Sequence, residues 1–131
     1  MDMDELSAKI QDLIKDLSNS DETIRWASAF ALARIGTAAV EPLIKALGHD
    51  ESVVRLRAAW ALGQIGDPRA IERLTFTLRD GDWAVRMRAV DALGRLGGPK
   101  VAGPLLTMLR DGNANVRRHT IGALARIRDP A

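Results

Sequence analysis

Apolar residues return along this chain every third or fourth position and nowhere alternate with period two, so the pattern predicts helices and no strands. The stretch "VVRLRAAWALGQIGDP", residues 53–68, shows the period. Val54, Ala58, Ala61, Leu62 and Ile65 fall on one stripe of a helical wheel, and Gly66 supplies the left-handed stop that ends such a helix. Trp60 lies outside the stripe, beside Val53, Leu56, Arg57 and Gln64, on the side that meets water in an isolated amphipathic helix.

The same pattern occurs four times. "IRWASAFALARIG" (24–36), "VRLRAAWALGQIG" (54–66), "VRMRAVDALGRLG" (85–97) and "VRRHTIGALARIR" (116–128) align without gaps. Each follows a second shared segment: "IQDLIKDL", "VEPLIKAL", "IERLTFTL" and "AGPLLTML". The shared arginine falls at Arg25, Arg55, Arg86 and Arg117, a period of 30, 31 and 31 residues. The short interval lies in a turn, because Gly36 to Val40 is one residue shorter than Gly66 to Ile71. First helices are expected near 4–17, 38–47, 68–78 and 99–109, and second helices near 21–35, 51–65, 82–96 and 113–127. Asp67-Pro68 reads as an N-cap followed by a proline at the first helical position. Asp50, Asp82 and Asn113 are placed to cap second helices, which Gly36, Gly66 and Gly97 close. Arg128 stands where the fourth glycine is expected, and "DPA" then resembles the opening of another repeat.

One hairpin cannot bury its apolar face alone, whereas four side by side bury a continuous core. The expected fold is all-α, a short α-solenoid of four helical hairpins in one domain over 1–131, with repeats at 4–36, 37–66, 67–97 and 98–128. Small residues recur where second helices must approach one another: Ala29 and Ala59, then Ala33, Gly63, Gly94 and Ala125.

The run D-x-x-V-R-x-x-A-A-x-A-L-G-x-I-G-D-P-R-A-I-E resembles the HEAT-repeat superfamily, and the short period is most similar to its phycobilisome-lyase-type repeats. The resemblance implies that first helices line a convex face and second helices a concave one. It also implies a structural ladder in which Arg25, Arg55, Arg86 and Arg117 meet acidic turn residues such as Asp21, Asp50, Asp80 or Asp82, and Asp111. It does not fix an activity.

Alignment puts a distinctive set on the second-helix face. The first repeat contributes Trp26, Phe30 and Arg34, and the second Val53, Leu56, Arg57, Trp60 and Gln64. The third contributes Trp83, Met87, Arg88, Asp91 and Arg95, and the fourth Asn115, Arg118, His119, Gly122 and Arg126. All three tryptophans and one of the two phenylalanines are among them. Two readings stand. The face is a recognition groove, because apolar patches mark interaction sites and Trp, Met and Arg are enriched in interfaces. Alternatively, the rings pack on neighbouring second helices as a smaller second core, with Arg57 or Arg88 stacked on them.

Composition narrows the function. Apolar residues at 47% and charged residues at 27% are ordinary for a globular domain. The absence of Cys removes disulfides, thiolate metal sites and Cys catalysis. His49 and His119 sit in different repeats with no His-Glu pair, so the residues support neither a metal nor another cofactor, and no enzyme is expected. The glycines end helices rather than cradle a phosphate. The acidic start "MDMDELSAKI" lacks a signal-peptide pattern and the chain shows no membrane span, so a cytoplasmic protein is expected.

The expected function is a non-catalytic protein-interaction scaffold that takes a protein or peptide on the concave face, with acidic partners among the candidates. Nucleic acid is the rival, since arginine outnumbers lysine fifteen to four and Arg34, Arg57, Arg88, Arg95, Arg118 and Arg126 share the face. The net charge of +2 is small for that role. Charge is uneven, with seven acids in residues 1–24 and a basic excess after 98, and Ile121 has no following repeat to cover it. Weak end-to-end self-association is therefore also expected.

Overall fold

The computed structural model describes residues 1–128; the final "DPA" lies outside the described residues. Four helical hairpins stack in chain order, and no strand occurs among the described residues. The helices are α1 (Met3–Asp16), α2 (Glu22–Ile35), α3 (Val40–Ala46), α4 (Ser52–Ile65), α5 (Ile71–Thr77), α6 (Trp83–Leu96), α7 (Ala102–Thr107) and α8 (Ala114–Arg128). The second helices are close to the expected spans. The first helices are shorter after repeat 1, because part of each span is a 3-10 turn: Gly36–Ala39 before α3, Pro68–Ala70 before α5 and Met108–Arg110 after α7. Pro68 opens its turn as expected, with Asp67 Oδ1 accepting from the Arg69 N–H. Gly66 ends α4 at φ 76°, a left-handed position that side chains resist. Glu22–Ala46 is the one stretch among the described residues long and apolar enough to cross a membrane. Gly36, at φ 80°, breaks it into α2 and α3.

Each hairpin packs on its own partner helix, and the second helices also pack in sequence, α2 on α4, α4 on α6 and α6 on α8. Leu32, Leu43, Leu62, Leu74, Leu93 and Leu105 form the fully buried spine. The Val54–Leu62 stripe is buried as its spacing predicts. So are Ala59 and Gly63, because α4 has neighbours on several sides.

Second helices touch through their smallest residues. A methyl group added to Gly63 would stand 2.8 Å from Ala92 Cα, and one added to Gly94 would stand 2.6 Å from Ala123 Cβ. Ala33 holds the equivalent position in α2, and α2 meets α4 less closely than α4 meets α6. The methyl of Ala33 stands where Gly63 and Gly94 admit the neighbouring helix.

The arginine ladder has a regular grammar. Each arginine donates to a main-chain carbonyl six residues before it: Arg25 to Asn19, Arg55 to His49, Arg86 to Asp80 and Arg117 to Asp111. Two of them also reach the next repeat. Arg55 forks onto Asp80 at 2.8 and 3.1 Å, and Arg86 onto Asp111 at 2.9 and 3.1 Å. Burial is the largest influence on Asp111 and opposes its charge, but the Arg86 hydrogen bond, the Asn113 N–H and the charges of Arg86 and Arg117 together hold its carboxyl below the usual range. This rung therefore contributes stability above the ordinary carboxylate pKa and loses it as pH falls through the lowered one.

The first rung is missing. The position taken by Asp80 and Asp111 is His49 in the second repeat, not Asp50. His49 keeps one duty of that position, its Nδ1 accepting from the Glu51 N–H as Asp80 and Asp111 accept from Asp82 and Asn113. It offers Arg25 no carboxylate, and Arg25 Nε is buried without a partner. The expected roles of Asp21 and Asp50 are corrected accordingly. Asp21 caps α2 rather than joining the ladder, and Asp50 meets Arg55 only through its carbonyl. Asp50 is not the α4 cap either; Glu51 stands there without a side-chain bond, whereas Asp82 and Asn113 do bond the N–H groups of Ala84 and Asn115.

Two outcomes follow for thermal or denaturant unfolding. Gly94→Ala should cost about 1–3 kcal/mol through overpacking against Ala123. His49→Asp should complete the ladder and raise stability by up to about 1 kcal/mol, a gain that Arg25→Gln removes.

Candidate functional site

The face predicted from the alignment divides into two halves. In the first, Trp60 meets Trp26 edge-on with ring centroids 5.5 Å apart, and meets Phe30 at 4.7 Å. Two guanidiniums lie over Trp26, Arg57 at 4.5 Å and Arg88 at 5.4 Å. Trp26 and Trp60 are half-buried against the core, whereas Phe30 remains 56% exposed. These rings fill the junction between repeats 1 and 2, where Ala33 stands in place of the glycines of the later junctions.

Arg57 requires a correction. It was expected on the open face, yet it is only 4% exposed. Its side chain runs back along α4 to donate to the Val53 carbonyl, its Nε is unpartnered, and the exposed Glu22 carboxylate is 4.0 Å away. Desolvation, followed by repulsion from Arg25, lowers its pKa, and Glu22 opposes the shift. The cause of burial is the ring of Trp26, which covers the guanidinium. Val53, Leu56 and Met87 are half-buried alongside. Trp83, expected on the same face, is 41% exposed in the first turn of α6 and does not line the hollow.

The second half is a hollow of about 610 Å³ lined by α4, α6 and α8 alone. Gly63, Ala92, Gly94 and Ala123 belong to it, and the small residues that let the helices approach also lower the surface between them. Trp60 stands at one edge. Arg88, Arg95, Arg118 and Arg126 surround it with Gln64 and Asn115. Arg95 donates to Gln64 at 3.4 Å, and Arg118 donates to Asn115 Oδ1. The one carboxylate in the hollow, Asp91, is engaged by His119, whose Nδ1 lies 2.8 and 3.0 Å from its two oxygens. Among the described residues, no carboxylate forms an ion pair with Arg88, Arg95, Arg118 or Arg126. Arg34 is exposed at the position of α2 equivalent to Arg95 and lies outside the hollow. The floor residues escaped the sequence reading as lining; Gly63 and Gly94 were marked there as contact points, whereas Ala92 and Ala123 were not.

Elsewhere, Phe76 is 63% exposed with Arg73 5.7 Å from its ring. Ile121 is open at the end of the stack, whereas Ala29 and Ala59 at equivalent positions are fully covered. His49 lies in an exposed turn, in a different repeat from His119. Among the described residues, no group of three His, Asp or Glu side chains converges as metal ligands would.

Paired helices stacked through their second members, pinned by an arginine ladder, define a helical-repeat solenoid. Its sequence matches the model of HEAT repeats over residues 10–79 and 76–131, and the chain belongs to that family. Among solved structures it is similar to the CpcE–CpcF complex of phycocyanin lyase from Nostoc sp. PCC7120, at 25% identity and a TM-score of 0.87 over 95% of this chain and 81% of that one. Human deoxyhypusine hydroxylase is similar at 24% identity and a TM-score of 0.76, over 98% of this chain and 50% of that one. A designed armadillo repeat protein in complex with the peptide (KR)4 is similar at 21% identity and a TM-score of 0.64, over 88% and 62%. The last two likenesses concern the fold. No curated protein matches in sequence.

Trp60→Ala removes both edge contacts and should cost about 2–3 kcal/mol in thermal unfolding, less than a fully buried ring. Arg95→Ala on the hollow should stay within about 0.5 kcal/mol.

Proposed function

We propose that the chain is a non-catalytic interaction module and that its second-helix groove holds a segment of a partner protein bearing carboxylates. The observation that carries this reading is the four-arginine rim of the hollow, without carboxylate ion pairs among the described residues, around an Asp91 already engaged by His119. Arginine offers a planar fork that matches a carboxylate, and Arg95, Arg118 and Arg126 are exposed around the hollow. Similar stacks in the comparisons are assembled with a protein or peptide: CpcE with CpcF, and the armadillo design with (KR)4. The peptide there is basic; the arginines here suit the opposite charge.

Selection from a random displayed-peptide library tests the reading. The native chain should enrich sequences rich in Asp and Glu, and Arg95→Glu with Arg126→Glu should fail to hold them while melting normally. Enrichment without acidic bias, or equal retention by the double variant, overturns it. The open Ile121 and the opposed charges of the two ends also favour weak end-to-end association. Sedimentation should show self-association that is stronger at low salt, and a strict monomer there would remove it.

A further inference from the structure

The aromatic half and the arginine half of the groove meet at Trp60, which belongs to both. Past it, the exposed edge of Phe30 offers apolar surface, while Arg95 on α6 and Arg126 on α8 occupy equivalent positions one repeat apart. Packed helices lie about 8–10 Å apart. A polyproline II chain rises about 3.1 Å per residue with three residues per turn, so its same-face positions recur every 9 Å or so. The same-face repeat of such a chain falls within the general spacing of packed helices. Resting on the acidic-segment reading above, we propose that the groove binds its partner as an extended polyproline II segment, with an apolar side chain against Phe30 and Trp60. Carboxylates three and six residues away meet Arg95 and Arg126.

The placement of charge favours such a segment over nucleic acid. The guanidiniums that line the hollow lie in repeats 3 and 4, while at the aromatic end the single exposed Arg34 is accompanied by Glu22 beside Arg57. The acids of residues 1–24 lie at that same end of the stack. A phosphate backbone running the length of the groove would meet like charge there, whereas a peptide can present an apolar residue instead. Gln64 interrupts the arginine row beside Trp60, so the row asks for no anion at that repeat.

Fluorescence anisotropy at low salt tests the register, with labelled Leu-Pro-Pro-Glu-Pro-Pro-Glu as probe. Its isomer Leu-Pro-Pro-Glu-Glu-Pro-Pro has the same composition and charge with the carboxylates off one face. The spaced peptide should bind the native chain about tenfold more tightly, roughly the worth of one charge-assisted contact. Arg126→Gln should erase that advantage, and Arg95→Gln should weaken both isomers alike and preserve it, each with unchanged melting. Phe30→Ser should bring affinity down to that of the peptide with Gly in place of Leu. Equal binding of the two isomers, both dependent on the arginines, overturns the register and leaves the acidic-segment reading standing. Failure of the spaced peptide, where acidic library peptides bind, has the same meaning. An oligothymidylate that binds more tightly than either peptide, with affinity falling steeply in salt, overturns both in favour of nucleic acid.

Discussion

The whole stack depends on two places where a helix backbone comes within a hydrogen's reach of its neighbour, Gly63 against Ala92 and Gly94 against Ala123. Dispersion is short-ranged, so contact of this kind fixes the spacing of α4, α6 and α8. That spacing sets the reach of the arginine ladder, whose forks span 25 residues of sequence from Arg55 to Asp80 and from Arg86 to Asp111. It also sets the shape of the other side, where small residues between tall ones make a furrow and leave the arginines around it. Core, ladder and hollow are three results of one choice of side-chain volume.

The first junction answers the same problem differently. Ala33 replaces the glycine, His49 replaces the aspartate, and three aromatic rings fill the space. Trp26 then serves as a lid for Arg57, a charge held by dispersion and cation–π attraction more than by an opposite charge, since Glu22 is exposed and 4.0 Å away. The rings therefore have a packing role, and the exposed edge of Phe30 is what they leave for contact.

Repetition made the fold legible. Four aligned copies disclosed the hairpins, the glycine stops and the buried phase of Leu62, because each copy repeats the same packing problem. The face was legible as a list, and its division in two was not. A helical wheel treats a helix as one-sided, whereas α4 is enclosed by α2, α3 and α6, so Arg57 was assigned to water and found in the interior. The ladder acid was misplaced at the second repeat because His49 holds the aspartate position six residues before Arg55, and Asp50 beside it looks like the right carboxylate. Whether a ring on the face lies flat in a junction or stands free depends on the distance between helices, which a single methyl decides.

A solenoid is also a spring, and its stiffness need not be uniform. Junctions made of backbone contact and a forked ion pair resist both shear and bending, since either motion separates atoms already at their closest approach. The aromatic junction is softer, because edge-on rings can slide and tilt while staying in contact. Repeats 2 to 4 are thus joined by contacts that bending must break, and repeat 1 by contacts that bending can preserve, so the Trp26–Trp60 junction is where imposed curvature costs least.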